Sequence, residues 1–199
     1  MYSSVFGGIT TDPAMMVVPL DDRMVHRGHA VFDTANIKDG KMYGLDMHIS
    51  RLLASSEKAC IDTSNWTRDE LRHIILHTAA ASGKRDDVFI RYWMSSGRGL
   101  FGIVPEKGRQ SEFVALCHHY APDKGKGLSE AVVSVPMKPP LLANIKSNNY
   151  LLNALTAMEA QEKGGTLGVQ VSIHNLHFVR RRLAPCTVSG SPPDDRLLR

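Results

Sequence analysis

One lysine stands apart from the rest of the chain's basic residues. In Asn144-Ile145-Lys146-Ser147-Asn148-Asn149-Tyr150 it ends an apolar stretch and precedes a strongly helical segment. The positive end of a helix dipole makes a nearby amine easier to deprotonate. A nucleophilic lysine that attacks carbonyl carbon needs such help. On spacing alone, an exposed lysine ahead of a helix is the simpler account, and both readings stand at this point. Ser96-Gly97-Arg98-Gly99 is a glycine-containing turn with an arginine, a common kind of turn that means little alone. His73 and His77 stand four apart on a predicted helix, which is metal-ligand spacing. Ile74 occupies the place where an H-E-x-x-H site needs glutamate, so a solvated helix face is expected there and no metal site.

The elements that would position these residues can be read from periodicity. A short apolar run at Val17-Val18 suggests a strand. Residues 30–37 are rich in strand formers, and Asp39-Gly40 then predicts a tight hairpin turn with a return strand over 41–45. Asp46 is placed to cap the next helix, which carries Ile49, Leu52, Leu53 and Ala59 at helical spacing with Arg51 among them. Thr67 and Glu70 form a capping box ahead of a helix bearing Leu71, Ile74, Ile75, Thr78 and Ala79 on one face. Strands follow at 88–94, 113–117 and 132–135, then the stiff connector Lys138-Pro139-Pro140. A helix over 149–163 carries the stripe Leu151, Leu152, Leu155 and Met158, and 167–173 reads as one more strand. Strands and helices mix without strict alternation, so the expected class is α+β.

Bulk properties narrow the function. The chain has 199 residues, 43% hydrophobic and 22% charged, which suits a globular protein with a real core. Its formal charge of +4 owes much to Arg180, Arg181, Arg182, Arg196 and Arg199. No aromatic residues interleave with the arginine run, as single-strand binding would want, so no nucleic-acid partner is expected. No apolar run is long enough to span a membrane. The three cysteines, Cys60, Cys117 and Cys186, form no CxxC pair and imply a reducing compartment. No targeting peptide is visible at residues 1–8, and a cytoplasmic or plastid location is expected.

Several segments taken in order carry a family resemblance. They are Asp21-Asp22-Arg23 with His26 to Thr34, then His48 with Arg51-Leu52, then Ile145-Lys146-Ser147-x-Asn149 and the Met158 to Gly164 helix end. Over roughly residues 1–165 this resembles the class IV pyridoxal-phosphate (PLP) aminotransferases, nearest their plant-type D-amino-acid transaminases. The resemblance implies the N-terminal domain of the D-amino-acid aminotransferase-like fold with an incomplete second domain. It implies PLP as cofactor, a small amino acid and a 2-oxo acid as ligands, and a homodimer. Lys146 would be the amine that holds the cofactor and moves the substrate proton. Arg51 would bind the cofactor phosphate through a bidentate clamp. Phe32 stands where a bacterial relative has a pocket tyrosine, Arg98 would hold a substrate carboxylate, and Asn149 would support the lysine loop. Transamination of D-amino acids is the expected activity, with aminodeoxychorismate lyase-type pyruvate elimination in the folate pathway as the alternative.

The resemblance departs at the end of the chain. The family continues with an E-G-x-x-x-N segment whose glutamate pairs with the cofactor's ring nitrogen. Here the stretch reads His177-Phe178-Val179-Arg180-Arg181-Arg182-Leu183, and no glutamate follows Glu162. The expected organisation is an N-terminal α+β domain over 1–120, the start of a cofactor-binding second domain over 121–173, and an atypical, disordered tail over 174–199. On that reading the tail is a different reading frame, a retained intron or an alternative exon, and a third expectation is a truncated, non-catalytic isoform.

Overall fold

The chain's patterning resolves into two sheets in a computed structural model that describes residues 1–119 and 127–171. The first part runs β1 (Tyr2–Ser3), β2 (Gly8–Ile9), α1 (Arg23–His26), β3 (Ala30–Lys38), β4 (Lys41–Met42), α2 (Leu45–Lys58), α3 (Arg68–Ala81), β5 (Val88–Ser95) and β6 (Glu112–His119). Its strands form one six-stranded sheet in the order β2-β1-β6-β5-β3-β4, with every neighbouring pair antiparallel. The class is α+β, as the mixed patterning predicts.

Period-two alternation decides which face is covered. Val31, Ala35 and Ile37 of β3 and Val88, Ile90, Tyr92 and Met94 of β5 are buried. They pack with Leu45, Ile49 and Leu52 of α2 and Leu71 and Ile75 of α3. Each fully buried Val, Leu, Ile or Met among them contributes about 1.5–3 kcal/mol by leaving water. The alternate residues Phe32, Thr34, Arg91 and Trp93 point to the other face.

The hairpin turn forms as predicted, with both Asp39 and Gly40 at positive φ, 52° and 68°. The return strand is shorter than expected. Gly44, also at positive φ, turns the chain, and Leu45 is already helical and buried. Gly44, not Asp46, is therefore the N-cap of α2. Asp46 sits in the first turn and pairs with Arg72 at 3.4 Å. Val17-Val18 forms no strand. The Thr67–Glu70 capping box is present in both directions. Thr67→Ala should cost about 1 kcal/mol and lower the thermal midpoint, and an unchanged midpoint would mean the box contributes nothing here. Cys60 and Cys117 are free thiols, and Cys186 lies outside the described residues.

The second part holds β7 (Glu130–Val133), α4 (Pro140–Ala143), α5 (Leu151–Glu162) and β8 (Leu167–Gln170). β7 and β8 pair in parallel, with α5 in the crossover between them. The Pro-Pro connector becomes the start of α4, with Pro140 in the first turn, where a missing N–H costs nothing. Gly168 lets α5 approach the sheet, since a Cβ there would lie 2.5 Å from Cγ2 of Thr156. The expected apolar stripe of α5 does not form a buried face: Leu151 is 72%, Leu155 41% and Met158 56% exposed. α5 packs instead through Thr156 and Ala160, which leaves the leucine side uncovered among the described residues. The expected boundary at 120 falls beside a stretch outside the described residues, and the tail over 174–199 lies outside them entirely.

One polar tie fastens α5 to β7. The Ser134 amide donates to both carboxylate oxygens of Glu159, at 2.9 and 3.0 Å, and Lys163 Nζ donates to Glu159 at 2.7 Å. The Lys163 ammonium and the Ser134 amide hold the Glu159 carboxyl at about 2, below its ordinary 4.5. A depressed carboxylate stabilises the fold above its unfolded value, and that contribution is lost as pH falls through the folded value. Protection of the Ser134 amide against hydrogen exchange should therefore drop, relative to β3 amides, as pH falls from about 5 to about 2. Equal behaviour of the two sets would refute the tie.

Candidate active site

The edge of β3 explains where Lys146 sits. β4 pairs only with the far end of β3, at Ile37 and Lys38. The near end is taken by the lysine segment: Val31 bridges Ser147 in antiparallel fashion, Phe32 N donates to Lys146 O at 2.8 Å, and Asn148 N donates to Ala30 O at 2.9 Å. Alternation then sorts the side chains. Ile145 and Ser147 are buried, Ile145 within the main core, while Lys146 faces the same way as Phe32. The Lys146 backbone N–H also points at Ser55 Oγ on α2, at 3.5 Å. Asn149 donates to Ser147 Oγ at 3.2 Å and so braces the segment. Lys146 is thus positioned by pairing to a strand, five residues before α5 begins.

The amine has aromatic company. Lys146 Nζ lies 4.5 Å from the centroid of the Phe32 ring and donates to the Tyr150 hydroxyl at 3.4 Å. The Phe32 and Tyr150 rings meet edge to face at 5.0 Å. Lys146, Tyr150, Arg51 and Ser55 all line one cleft of roughly 540 Å³, together with Lys138, Leu142, Ile145, Asn153 and Gln170. Arg51 and Ser55 stand one turn apart on α2, whereas Lys146 and Tyr150 belong to the extended segment ahead of α5.

Arg51 does not stand alone. Its Nε and Nη2 donate to the two carboxylate oxygens of Asp33, each at 2.7 Å. The His48 ring nitrogen Nδ1 lies 3.1 Å from the same carboxylate. Asp33 is fully buried, whereas the Arg51 side chain is 55% exposed. Burial pushes the Asp33 carboxyl up, but the Arg51 guanidinium, the Thr34 amide and His48 together bring it below its ordinary value. The two-pronged fork of Arg51 is therefore spent on Asp33. An anion in the cleft would meet its remaining donors on Nη1, held at a fixed angle by the pair below. A half-exposed guanidinium, a primary amine and an apolar wall suit a phosphate-bearing carbonyl compound.

Arg98 is not among the residues that line this cleft. Its Nε donates to Asp21, at 2.9 and 3.1 Å to the two oxygens. The Asp21-Asp22-Arg23 signature is likewise structural in this geometry. Asp22 caps α1 through the Met24 amide at 2.7 Å and accepts from Ser95 Oγ at 2.9 Å. Buried Arg23 donates to the carbonyls of Leu100, Gly102 and Ile103 and fixes the loop after β5. Among the described residues no group of three or more His, Cys, Asp or Glu side chains is placed to hold a metal. His73 and His77 stack on each other at 3.8 Å on α3. No helix there is long and apolar enough to cross a membrane.

Sequence reasoning did not single out Asp33, Tyr150 or Lys138. Tyr150 carried a signal, standing four residues after Lys146. Asp33 carried one too, as an acid at a position in phase with the apolar Val31, Ala35 and Ile37 of its strand.

The chain is similar to known proteins. Residues 30–176 fit the family model described as amino-transferase class IV. A chloroplastic D-amino-acid transaminase of Arabidopsis thaliana is 45% identical over 173 residues, which cover 86% of this chain and 46% of that protein. An aminodeoxychorismate lyase of Vibrio harveyi is 25% identical over 173 residues, covering 84% of this chain and 61% of that one. The PLP-bound form of a hypothetical aminotransferase from Mycobacterium tuberculosis shares the fold, with a TM-score of 0.65 at 21% identity. The match covers 82% of this chain and 59% of that structure. The chain spans less than two thirds of each of these three proteins.

Proposed function

The chain belongs to the class IV aminotransferases, and from that premise we propose that it transfers an amino group from a D-amino acid to a 2-oxo acid with PLP as cofactor. The observation that carries this reading is that Arg51 and Lys146, 95 positions apart in sequence, open into one cleft. The D-amino-acid transaminase of Arabidopsis supports the choice of substrate.

Bound in the cleft, PLP would supply an electron sink for the charge left when a substrate α-proton departs. The chain's own residues would do the rest. Arg51 Nη1 would hold the phosphate, its angle set by Asp33. Lys146 Nζ would be the amine that holds the cofactor and, as a free amine, would accept the substrate α-proton and later give it back. Tyr150 would hold the amine in place through its hydroxyl. Phe32 would close the far side of the amine and keep water from it. Arg98 is proposed for a substrate carboxylate, a contact that requires its pair with Asp21 to open. Residues 1–120 and 121–173 are proposed as the first domain and the start of the second, with the working unit a homodimer in the plastid or cytoplasm.

The test is spectroscopic. PLP added to the purified chain should give a visible absorbance band, and borohydride should then fix the cofactor to Lys146. D-alanine should bleach the band and L-alanine should not. Absence of any band would overturn the cofactor assignment, and equal response to both enantiomers would overturn the D preference. The Vibrio lyase match favours a second reading, pyruvate elimination from aminodeoxychorismate. That reading is separated by pyruvate release in the absence of any 2-oxo acid acceptor.

A further inference from the structure

A second hollow lies between α3 and the β3–β4 turn, at the end of β3 away from Lys146, and encloses about 370 Å³. Its walls are apolar: buried Ile37, half-buried Met42 and Leu76, and exposed Ala80. Two exposed cations, Lys84 and Arg85, stand at its mouth, and no carboxylate is among its lining residues. The nearby acids belong to the turn, where Asp86 accepts from the Asp39 amide at 2.6 Å. No ion pair joins Lys84 or Arg85 to an acid among the described residues. A concave apolar surface of this size, with a few polar groups at its edge, has the form of a small-molecule site.

The backbone fixes Arg85 at this mouth. Gly40 N–H donates to Arg85 O at 2.9 Å. The guanidinium lies against the bare Cα of Gly40, since a Cβ there would meet its Nη2 at 3.0 Å and its Nε at 3.1 Å. Gly83, at positive φ, turns the chain out of α3 and leaves the mouth open, with nothing within 4 Å of where its Cβ would stand. The two cations also complement the negative end of the α3 dipole, which accounts for their sign but not for the apolar hollow beside them. We propose that this hollow binds an amphipathic carboxylate, its apolar body against Ile37, Met42 and Leu76 and its carboxylate on Arg85, with Lys84 adding a point charge. A guanidinium matches a carboxylate with two parallel N–H donors, and the apolar walls shed water as the body enters. No residue lines both this hollow and the cofactor cleft, so the inference is independent of the reading of Lys146.

The experiment uses the full chain and three probes titrated by calorimetry: 4-phenylbutyrate, its neutral counterpart 4-phenylbutanol, and acetate. The variants are Arg85→Met, which keeps an apolar stem and removes the charge, and Ala80→Phe, which fills the hollow from an exposed helix position. The unaltered chain should bind 4-phenylbutyrate about tenfold or more tightly than 4-phenylbutanol, the usual effect of a charge-assisted contact. Acetate, which has no apolar body, should bind far more weakly than either. Arg85→Met should bring the acid down to the level of the alcohol and leave the alcohol unchanged. Ala80→Phe should weaken both. Equal affinity of the unaltered chain for acid and alcohol would overturn the proposal, as would acetate binding as tightly as 4-phenylbutyrate. Binding of the acid that survives Ala80→Phe would place it elsewhere and overturn the proposal too. If Ala80→Phe lowers the thermal midpoint, Arg85→Met decides alone: an unchanged preference for acid over alcohol would leave Arg85 as a helix-end cation and sink the site. Absence of saturable binding of 4-phenylbutyrate to the unaltered chain would do the same.

Discussion

Lys146→Ala is expected to abolish all borohydride-fixed PLP, with the fold intact. The strand-edge bonds that place this residue come from backbone groups, Phe32 N to Lys146 O and Asn148 N to Ala30 O, and alanine keeps them. Ile145 and Ser147, the buried neighbours, are untouched. The melting temperature should therefore change little while the chemistry disappears. Lys146→Arg should fail equally, because a guanidinium stays protonated and does not attack a carbonyl. Lys138, the other amine in the cleft, is held against the Tyr150 ring and should not take over. Peptide mapping decides the matter: label found on Lys138 or any other lysine of the variant would sink the assignment.

Arg51→Ala is expected to act twice, and the two effects separate by experiment. The first is a loss of phosphate affinity. PLP binding should weaken by roughly tenfold to a hundredfold, the worth of a charge-assisted contact, whereas pyridoxal, which has no phosphate, should bind as before. The second is a loss of stability. Asp33 is fully buried, and without Arg51 it keeps only His48 and the Thr34 amide. Stranding a buried carboxylate in this way costs about 2–4 kcal/mol. The pH dependence gives the sign. In the native chain the Asp33 carboxyl lies below its ordinary value. Its contribution is therefore present at neutral pH and lost on acidification. In the variant, burial is no longer offset and the value rises, so the penalty is relieved as pH falls. Denaturation of the two proteins across the acid range should show stability differences that shrink toward low pH. A constant difference would remove Asp33 from the account.

Parts of this architecture are legible in the order of residues alone. The long strand over 30–37, the Asp39-Gly40 turn and the Thr67 box depend on neighbours in sequence, and local patterning carries them. Gly44 displaces Asp46 as the cap of α2 because a positive φ is needed to leave the hairpin, and that requirement comes from where β4 ends. The stripe on α5 has the spacing of a core face, but spacing cannot say whether anything lies opposite. The site follows the same division. Lys146, Arg51 and Phe32 are marked by type and motif, and the cleft does gather Lys146 and Arg51 beside the Phe32 ring. The partner beneath Arg51 is out of reach of such reasoning, because Asp33 and Arg51 meet only once α2 is folded over β3. Arg98 shows the converse: its turn is legible, but its engagement with Asp21 depends on α1 and the loop after β5 coming together.

The divided edge of β3 has a consequence for how such a chain tolerates change in its length. The connector between β7 and the lysine segment can gain or lose a residue with its ends still anchored, since long loops absorb such changes at small entropic cost. Within residues 145–148 the position is different. One residue more or fewer there preserves the number of backbone bonds to β3 but inverts which side chains face which way. The amine would then point toward α2, and Ile145 or Ser147 would occupy the cleft. The site is thus robust to substitution around the lysine and intolerant of a shift in phase, so insertions and deletions among descendants of this sequence should collect on the connector and be missing from those four positions.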